Sequence, residues 1–212
     1  SRGIYLDLDV SPDGKYVLPE RVRRPYSYQV PVDDFPRRIE VLSAADGSLQ
    51  HTLAELPLVE GLPTGNDAVP TGVRRVSWRA DAPATLVWAE AQDGGDPARE
   101  TQVRDAVLTQ AAPFDRPPQT LAQLGSRYAG IQWGRGDLAL LNESWWKSRT
   151  VKQWRIAPDH PETEPQLLVE RSSQDRYNDP GRPGMVSDVN GRGRLQTSAD
   201  GRSIFLYGQG AS

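Results

Sequence analysis

The chain has 212 residues, a formal net charge of −3 and 37% hydrophobic residues, a composition typical of a globular protein long enough to bury a core. It has no cysteine, and its two histidines, His51 and His160, lie far apart in sequence, so we expect neither disulfides nor a zinc site of cysteine or clustered histidine. The slight excess of acidic over basic residues argues against a nucleic-acid partner. No apolar run reaches the roughly 18 residues of a membrane-spanning helix.

Eighteen prolines and nineteen glycines favour many short elements joined by turns, so we expect an all-β fold. Ile4 to Val10 alternates apolar with polar residues, Ser11-Pro12-Asp13-Gly14 has the chemistry of a tight turn, and Tyr16 begins a return strand. Pro19 has no backbone N–H to donate, so we expect this strand to end there or to lie at a sheet edge. A second hairpin follows, with its turn at Ala45-Asp46-Gly47.

The order of apolar strand, Asp-containing turn and apolar strand recurs at 76–92, 131–141 and 195–206, at intervals of roughly 55 to 70 residues. Two successive hairpins give four antiparallel strands, A to D, joined as a meander, which is one blade of a β-propeller. The third strand of the second unit, near Arg104 to Thr109, also fits helical spacing, and we prefer a strand because its counterparts are strands.

The sequence therefore predicts a partial β-propeller of about three and a half four-stranded blades. The blades are placed at residues 4–53, 73–124, 128–170 and, in part, 195–212. Because such a number of blades cannot close a ring, we expect further blades outside this stretch or pairing with another chain.

In a four-stranded meander, the A–B and C–D turns lie at one end of the sheet and the B–C and D–A connections at the other. The connections at the second end, which we place at 20–38, 54–72, 93–103, 143–150 and 171–193, hold most of the unusual sequence. Long structured loops carry function more often than the scaffold does. We therefore predict that this end is the working face. Its candidate substrate or interface residues are Arg23, Arg24, Tyr26, Tyr28, Trp145, Trp146, Lys147, Arg149, Arg171, Asp175 and Tyr177.

Guanidinium groups suit carboxylates, and aromatic side chains suit an extended peptide or a partner's surface. The alternative for each of these residues is an ion pair or a small packing cluster that anchors a loop, and it stays open. Asp93-Gly94-Gly95-Asp96 more simply forms a turn than a cation site, and Asn142-Glu143-Ser144 is a weak match to a glycosylation site.

No G-x-S-x-G nucleophile elbow and no recognisable Ser-His-Asp triad occur, so no catalytic residue is assigned, and no metal or cofactor is expected. A sugar-binding or sugar-cleaving propeller would need paired carboxylates. Asp93, Asp96 and Asp175 are available for that role, but nothing in their spacing pairs them.

Several loop sequences together resemble one known family. They are RRPYSYQVP (23–31), FPRRIEV (35–41), WRADAPATLVWAEAQDGGD (78–96), ESWWKSR (143–149), RSSQDRYNDPG (171–181) and the final DGRSIFLYGQGAS. In this order they closely resemble the propeller domain of bacterial and chloroplast glutamyl endopeptidases, which belong to the prolyl oligopeptidase family of serine peptidases. The resemblance runs through essentially the whole chain.

The resemblance implies a parent enzyme in which an N-terminal propeller covers a C-terminal α/β-hydrolase domain that supplies Ser, Asp and His and cleaves peptides after Glu. No triad residue carries over to this chain. The propeller would gate access of short or unfolded peptides, and Arg23, Arg24 or Arg149 would attract an acidic one. A secreted or periplasmic bacterial location is expected. The alternative is a non-enzymatic propeller that serves as a protein-interaction scaffold.

Overall fold

The computed structural model describes residues 3–63 and 65–208. These residues are almost entirely β-strands and turns, with a 3₁₀ turn at Val32–Asp34. The chain divides into two compact units, residues 1–79 with 83–123 and residues 80–82 with 124–212, which we describe separately. No helix in the described part of the chain is long and apolar enough to cross a membrane.

The first sheet of the first unit is an antiparallel meander in the order β1-β2-β3-β4. Its strands are β1 (Tyr5–Val10), β2 (Tyr16–Val22), β3 (Arg37–Ser43) and β4 (Leu49–Leu56). The predicted first turn is confirmed. Asp13 accepts hydrogen bonds from the Ser11 hydroxyl at 2.6 Å and the Lys15 N–H at 3.1 Å, and Gly14 adopts a φ of +72°.

The expectation for Pro19 is wrong, because β2 lies between β1 and β3 and continues past Pro19 to Val22. Pro19 pairs with Leu8 of β1, and the pairing with β3 is absent between Val17 and Glu20. The strand therefore continues through Pro19, and the missing N–H lies where backbone pairing with β3 is locally absent.

The second sheet has the same order along the chain, β5-β6-β7-β8. Its strands are β5 (Arg74–Trp78), β6 (Thr85–Ala91), β7 (Asp105–Ala111) and β8 (Gln119–Leu124). The preferred strand assignment near Arg104 to Thr109 is confirmed, since β7 pairs with β6 along its full length. Both faces of β6 are covered, which accounts for its continuous apolar run.

The core of the first unit lies between its two sheets. Leu18, Ile39 and Val41 of the first sheet pack with Leu86 and Trp88 of the second. Aromatic side chains complete this cluster: the partly buried Tyr16 meets the buried Phe114 edge to face at 5.5 Å, and the partly buried His51 stacks on Phe114 at 5.4 Å. The apolar face of each meander is thus buried against the other, as the alternating sequence pattern requires.

The third sheet, in the second unit, has the order β12-β11-β10-β9. Its strands are β9 (Arg127–Arg135), β10 (Leu138–Trp145), β11 (Thr150–Ile156) and β12 (Gln166–Ser172). Amide side chains form a ladder across one face: Gln153 donates to Asn142 at 3.0 Å, and Asn142 donates to Gln132 at 2.8 Å. Asn142 thus lies within a sheet with its side-chain nitrogen engaged, which argues against its being an exposed glycosylation site.

The predicted hairpin from Leu195 to Tyr207 is present, held by a bridge between Thr197 and Ile204. Four short strands lie at its two ends or precede it: β13 (Arg182–Pro183), β14 (Met185–Ser187), β15 (Gly193–Leu195) and β16 (Leu206–Tyr207). The hairpin is open at one end, where β14 pairs with β15 and β13 pairs with β16. Residues 182–187, expected to be connection only, therefore join the strands on both sides of the opening.

Backbone hydrogen bonds close this junction. Gly184 donates to the Phe205 carbonyl at 2.7 Å, Phe205 to Gln196 at 3.3 Å, and Gln196 back to Gly184 at 2.8 Å. A Cβ atom at position 184 would lie 2.7 Å from the Tyr207 ring, so a larger residue there would have to displace that ring.

The predicted fold class is confirmed: the chain is nearly all β and is built from four-stranded antiparallel sheets of the propeller type. The three complete sheets extend over residues 5–56, 74–124 and 127–172. The assignment of these sheets to successive blades of one ring stays a prediction.

Candidate functional site

The connections at one end of the first unit are joined by backbone hydrogen bonds. Val59, in the β4–β5 connection, donates to Asp34 in the β2–β3 connection at 2.9 Å. Val69 of the same connection donates to Gly95 in the β6–β7 connection at 3.1 Å. Three B–C and D–A connections thus form one linked rim, as the meander predicts.

In the β2–β3 connection, an exposed arginine lies over the first of two stacked aromatic rings. The Arg24 guanidinium is 5.5 Å from the centre of the Tyr26 ring, and Tyr26 stacks on Phe35 at 5.9 Å with an interplanar angle of 20°. Arg23 is also exposed, and Tyr28 is fully exposed. The structure therefore groups Arg24 with Tyr26, whereas Tyr28 extends into solvent.

Asp93, at the start of the acidic turn, is fully buried. Its carboxylate forms an ion pair with Arg104 at 2.9 Å and accepts the Gly95 N–H at 3.0 Å. Among the described residues, no group of three or more acidic or histidine side chains could hold a metal ion. The turn interpretation of this segment is confirmed, and Asp93 stabilises the rim.

In the second unit, the connection expected from Glu143 to Thr150 is much shorter than predicted. β10 and β11 stay paired as far as Trp145 and Thr150, which leaves a tight turn of Trp146 to Arg149. Arg149 adopts the left-handed conformation with φ +58°, and its N–H donates to the Trp146 carbonyl at 3.1 Å. The predicted bounds of this connection are wrong, because Glu143 to Trp145 continue β10 and Thr150 already belongs to β11.

The Arg149 side chain covers the neighbouring indole. Its guanidinium carbon lies 3.8 Å from the centre of the Trp146 ring, which is a close cation–π contact. Trp146 nevertheless stays 52% exposed, and Lys147 beside it is exposed. The turn thus presents an indole and two cations to solvent.

Trp145 points away from this arrangement. It is partly buried in β10, with its ring 5.7 Å from the Arg127 guanidinium. The adjacent Glu143 is buried and accepts hydrogen bonds from the Trp154 indole at 2.9 Å and the Ser126 N–H at 2.7 Å. These contacts favour the packing alternative for Trp145.

Arg171 fixes the loop that follows β12. Its guanidinium donates to the carbonyls of Ser172 at 2.9 Å and Asp175 at 3.0 Å, and pairs with the Asp179 carboxylate at 2.7 Å. The Asp175 carboxylate accepts the side-chain amide of Asn178 at 2.6 Å, and this hydrogen bond is the main reason that the pKa of Asp175 is lowered. Arg171 and Asp175 thus act on the loop itself.

Tyr177 lies at the tip of this loop and is 83% exposed. Its N–H donates to Asp175 at 3.0 Å. The loop is joined to the β10–β11 turn, because the Ser173 N–H donates to the Arg149 carbonyl at 2.6 Å. The candidates Trp146, Arg149, Arg171, Asp175 and Tyr177 therefore lie in one continuous region at one end of the third sheet.

A small pocket of about 220 Å³ lies beside this region, between the third sheet and residues 179–181. Its lining includes Asn142, Ser144, Gln153, Arg171 and Asp179. Sequence reasoning missed Asp179 and Ser173 as members of the region. The turn signal Asp179-Pro180-Gly181 marks the end of the loop but does not show that Arg171 pairs with Asp179.

Comparison with known proteins gives one clear relationship. No family model matches the chain. A probable chloroplastic glutamyl endopeptidase of rice is 40% identical over 214 aligned positions, covering 99% of this chain. The corresponding Arabidopsis thaliana protein is 44% identical over 180 positions, covering 84%. The chain is homologous to a segment of glutamyl endopeptidases.

The predicted resemblance is thereby confirmed. The chain spans only about a fifth of these glutamyl endopeptidases, 23% of the rice protein and 18% of the Arabidopsis protein. An oligogalacturonate lyase in complex with manganese has a similar fold, with a TM-score of 0.52 and 9% identity over 90% of this chain and 46% of the lyase. At that identity the likeness concerns the fold alone.

Another solved structure, the β-propeller domain of the Trilobed protease from Pyrococcus furiosus, matches with a TM-score of 0.45 and 8% identity. That match covers 84% of this chain and 48% of the protease domain. By sequence the chain is similar to one segment of glutamyl endopeptidases, and its role is a matter for proposal.

Proposed function

We propose that this chain is the substrate-gating part of a serine endopeptidase of the prolyl oligopeptidase family that cleaves peptides after glutamate. The observation that supports this most strongly is the 40–44% identity to glutamyl endopeptidases along most of the chain. Because the relatives are much longer, the rest of the parent, a C-terminal α/β-hydrolase domain, would supply the catalytic Ser, Asp and His. A secreted or periplasmic location is part of the proposal.

The positions of the loops support the proposed gating role. The Val59–Asp34 and Val69–Gly95 hydrogen bonds join the connections into the linked rim of the first unit, which in this proposal restricts what passes. A stiff rim over a peptidase active site admits short or unfolded peptides and excludes folded proteins. The substrate would be a peptide.

Arginines in the B–C connections of both units would attract the acidic residues of that peptide. Arg24 lies over Tyr26, Arg149 lies over Trp146, and Arg23 is exposed beside the first pair. A ring beneath a guanidinium limits its orientation and leaves its N–H groups free to meet a carboxylate. A charge-assisted contact of this kind contributes roughly 1.5 to 3 kcal/mol when it is shielded from water.

The test uses the full-length parent with Arg23→Gln, Arg24→Gln and Arg149→Gln. We expect each to raise KM for a Glu-containing peptide, by about ten-fold or more where the contact is shielded from water, with little change in kcat. Lys15→Gln and Arg202→Gln are the controls, because both lie in turns of the A–B type. Unchanged kinetics in all three arginine variants would contradict the attraction of an acidic substrate.

Gating is tested separately with one protein substrate in its folded and unfolded forms, of which only the unfolded form should be cleaved. The alternative function, a non-enzymatic interaction scaffold, predicts that the full-length parent does not react with a serine-directed fluorophosphonate. Labelling of a serine outside residues 1–212 would support the peptidase.

A further inference from the structure

The second unit has a larger pocket at the end of the third sheet where the β9–β10 and β11–β12 turns lie. It holds about 480 Å³, within the roughly 300 to 1,000 Å³ of typical ligand sites. One wall is the face of β10, β11 and β12, and the other is formed by residues 201–204 of the hairpin that follows. We call this space the Arg155 pocket.

The floor of the Arg155 pocket is aliphatic. Leu138 and Leu140 of β10 are buried there and pack with Leu195 and Ile204 of the hairpin. Leu168 of β12 lines the same pocket but is 42% exposed. The pocket therefore combines a packed aliphatic floor with one aliphatic side chain that the fold leaves partly uncovered.

A β-bulge places Leu168 in this position. Leu167 pairs with Trp154 and Val169 pairs with Gln153, so Leu168 has no opposite residue in β11. An extra residue of this kind bends a strand and redirects a side chain. Here it leaves Leu168 where a ligand in the pocket would cover it.

Positive charge lies beside this floor. Arg155 shares one cross-strand row with Leu140 of β10 and Gln166 of β12. Its side chain is exposed, and no carboxylate in the described part of the chain forms an ion pair with it. Among the described residues that line the pocket, none is Asp or Glu. The Arg155 guanidinium is therefore an uncompensated cation next to an aliphatic surface.

A second arginine joins the two walls of the pocket. The Arg135 guanidinium donates to the Asp137 carboxylate at 2.6 Å and to the Gly201 carbonyl at 3.3 Å. These contacts tie the β9–β10 turn to the hairpin. Because the walls are joined by the protein's own groups, a ligand would enter a formed site and binding would cost little ordering of the chain.

The two kinds of lining together define the ligand. A guanidinium recognises a carboxylate through paired N–H donors, and an aliphatic floor favours an aliphatic group because apolar area is removed from water. An inorganic anion would leave the floor uncovered. A neutral apolar molecule would remove Arg155 from water without supplying a partner for its charge.

We propose that the Arg155 pocket binds a small organic acid whose carboxylate pairs with Arg155 and whose aliphatic group covers Leu140 and Leu168. A free aliphatic acid and the C-terminal end of a peptide with an aliphatic last residue share this chemistry. The pocket includes none of the arginines that the proposed function assigns to the substrate, so the inference goes beyond that function and does not depend on it.

The first test measures the binding of octanoate to the full-length parent by titration calorimetry. We expect saturable binding, and at least about ten-fold weaker binding of acetate, which lacks the chain, and of octanol, which lacks the charge. N-acetyl-alanyl-leucine and its C-terminal amide then compete with octanoate. Displacement by the peptide acid alone would identify peptide termini as the ligand, and no displacement would identify free acids. Octanoate that does not saturate, or that binds no better than octanol, would overturn the proposal.

The second test locates the binding with variants of the full-length parent. Arg155→Gln should raise the Kd for octanoate at least about ten-fold, and Leu168→Ser should raise it about three- to ten-fold. Arg182→Gln, which removes an exposed arginine of β13 outside the pocket, is the matched control and should keep the wild-type Kd. Both test residues are exposed, so the variants should fold, and their urea midpoints check this.

An unchanged Kd in both Arg155→Gln and Leu168→Ser would overturn the proposal. No step of either test uses cleavage. A parent that binds octanoate in this pocket but does not cleave Glu peptides therefore contradicts only the proposed function, and one that cleaves them but does not bind octanoate contradicts only the organic-acid site.

Discussion

The Arg149 guanidinium carbon lies 3.8 Å from the centre of the Trp146 ring, on a backbone that holds Arg149 at φ +58°. Left-handed conformations are unfavourable for residues with a Cβ atom, and exposed cation–π contacts return some of that cost. The turn therefore keeps an arginine where glycine would be the locally preferred residue. A role for the side chain itself would explain this choice.

Replacement of Arg149 can separate that role from stability. Arg149→Gly removes a cation–π contact of about 0.5 to 1 kcal/mol and relieves a backbone cost of about 1 kcal/mol, so the free energy of unfolding should change little. Arg149→Ala loses the contact and keeps the strain, and should be about 1 kcal/mol less stable than Arg149→Gly. Urea unfolding of the full-length parent measures both.

The same two variants should show an equal increase in KM for an acidic peptide, because both lack the charge. If instead KM rises only in the less stable Arg149→Ala variant and Arg149→Gly keeps the wild-type KM, the charge of Arg149 has no part in substrate attraction.

The linked rim of the first unit depends on one glycine more than on its neighbour. Gly94 and Gly95 both have positive φ, at +70° and +76°, but only at Gly95 would a Cβ atom overlap a backbone atom, the Val69 carbonyl oxygen. At Gly94 the nearest atom is the end of the Arg99 side chain at 3.5 Å.

We therefore expect Gly94→Ala to lower the free energy of unfolding by about 1 kcal/mol and Gly95→Ala by on the order of 3 kcal/mol. Thermal unfolding of the two variants measures the difference. Gly95→Ala should also speed hydrogen exchange at Val69, whose N–H donates to Gly95. Equal destabilisation by the two changes would show that the loops are not tightly joined there.

His51 should make the stability of the first unit depend on pH. Burial lowers the pKa of His51 below its ordinary value of 6.5, and a smaller opposing effect comes from Gln110. The folded state thus binds fewer protons at this site than the unfolded state does, so stability rises with pH across the interval between the two pKa values. The contribution is present above about pH 6.5 and is lost as pH falls through the folded-state pKa.

The measurement is the urea midpoint at pH 5 and at pH 7.5. His51→Phe, which keeps an aromatic ring against Phe114, should reduce the difference between the two midpoints. His160→Ala should leave the difference between the two midpoints unchanged, since that ring is in an exposed turn. If the urea midpoint of His51→Phe changes with pH as much as that of the wild-type protein, His51 is not the group responsible for the pH dependence.

Local patterns predicted the strands well but the connections poorly. Alternation in β1 and the Asp-Gly turns that follow depend on neighbours in sequence, so residues 4–18 folded as predicted. Residues 143–150 were all assigned to a connection because propensity alone counts against polar residues that the pairing of β10 with β11 tolerates. Residues 182–187 were missed as strand because their partners are distant in sequence.

The candidate site shows the same division. The sequence identified Arg149, Arg171 and Tyr177 by residue type and loop position, without any indication of what each contacts. The structure separates their roles: Arg149 covers an exposed indole, Arg171 ties its own loop to Asp179, and Tyr177 faces solvent. Whether they bind substrate or partner stays a prediction.

By itself the sequence determined the all-β class, the four-strand repeat and the kinship with glutamyl endopeptidases, because hydrophobic period, turn chemistry and residue order are properties of the chain read along its length. Only the tertiary structure decided that Asp93 is buried against Arg104, that Pro19 lies inside a continuous strand, and that Ser173 joins the Trp146 turn to the Tyr177 loop. Each of these depends on groups brought together by the packing of strands, and no local pattern specifies which distant group will lie opposite.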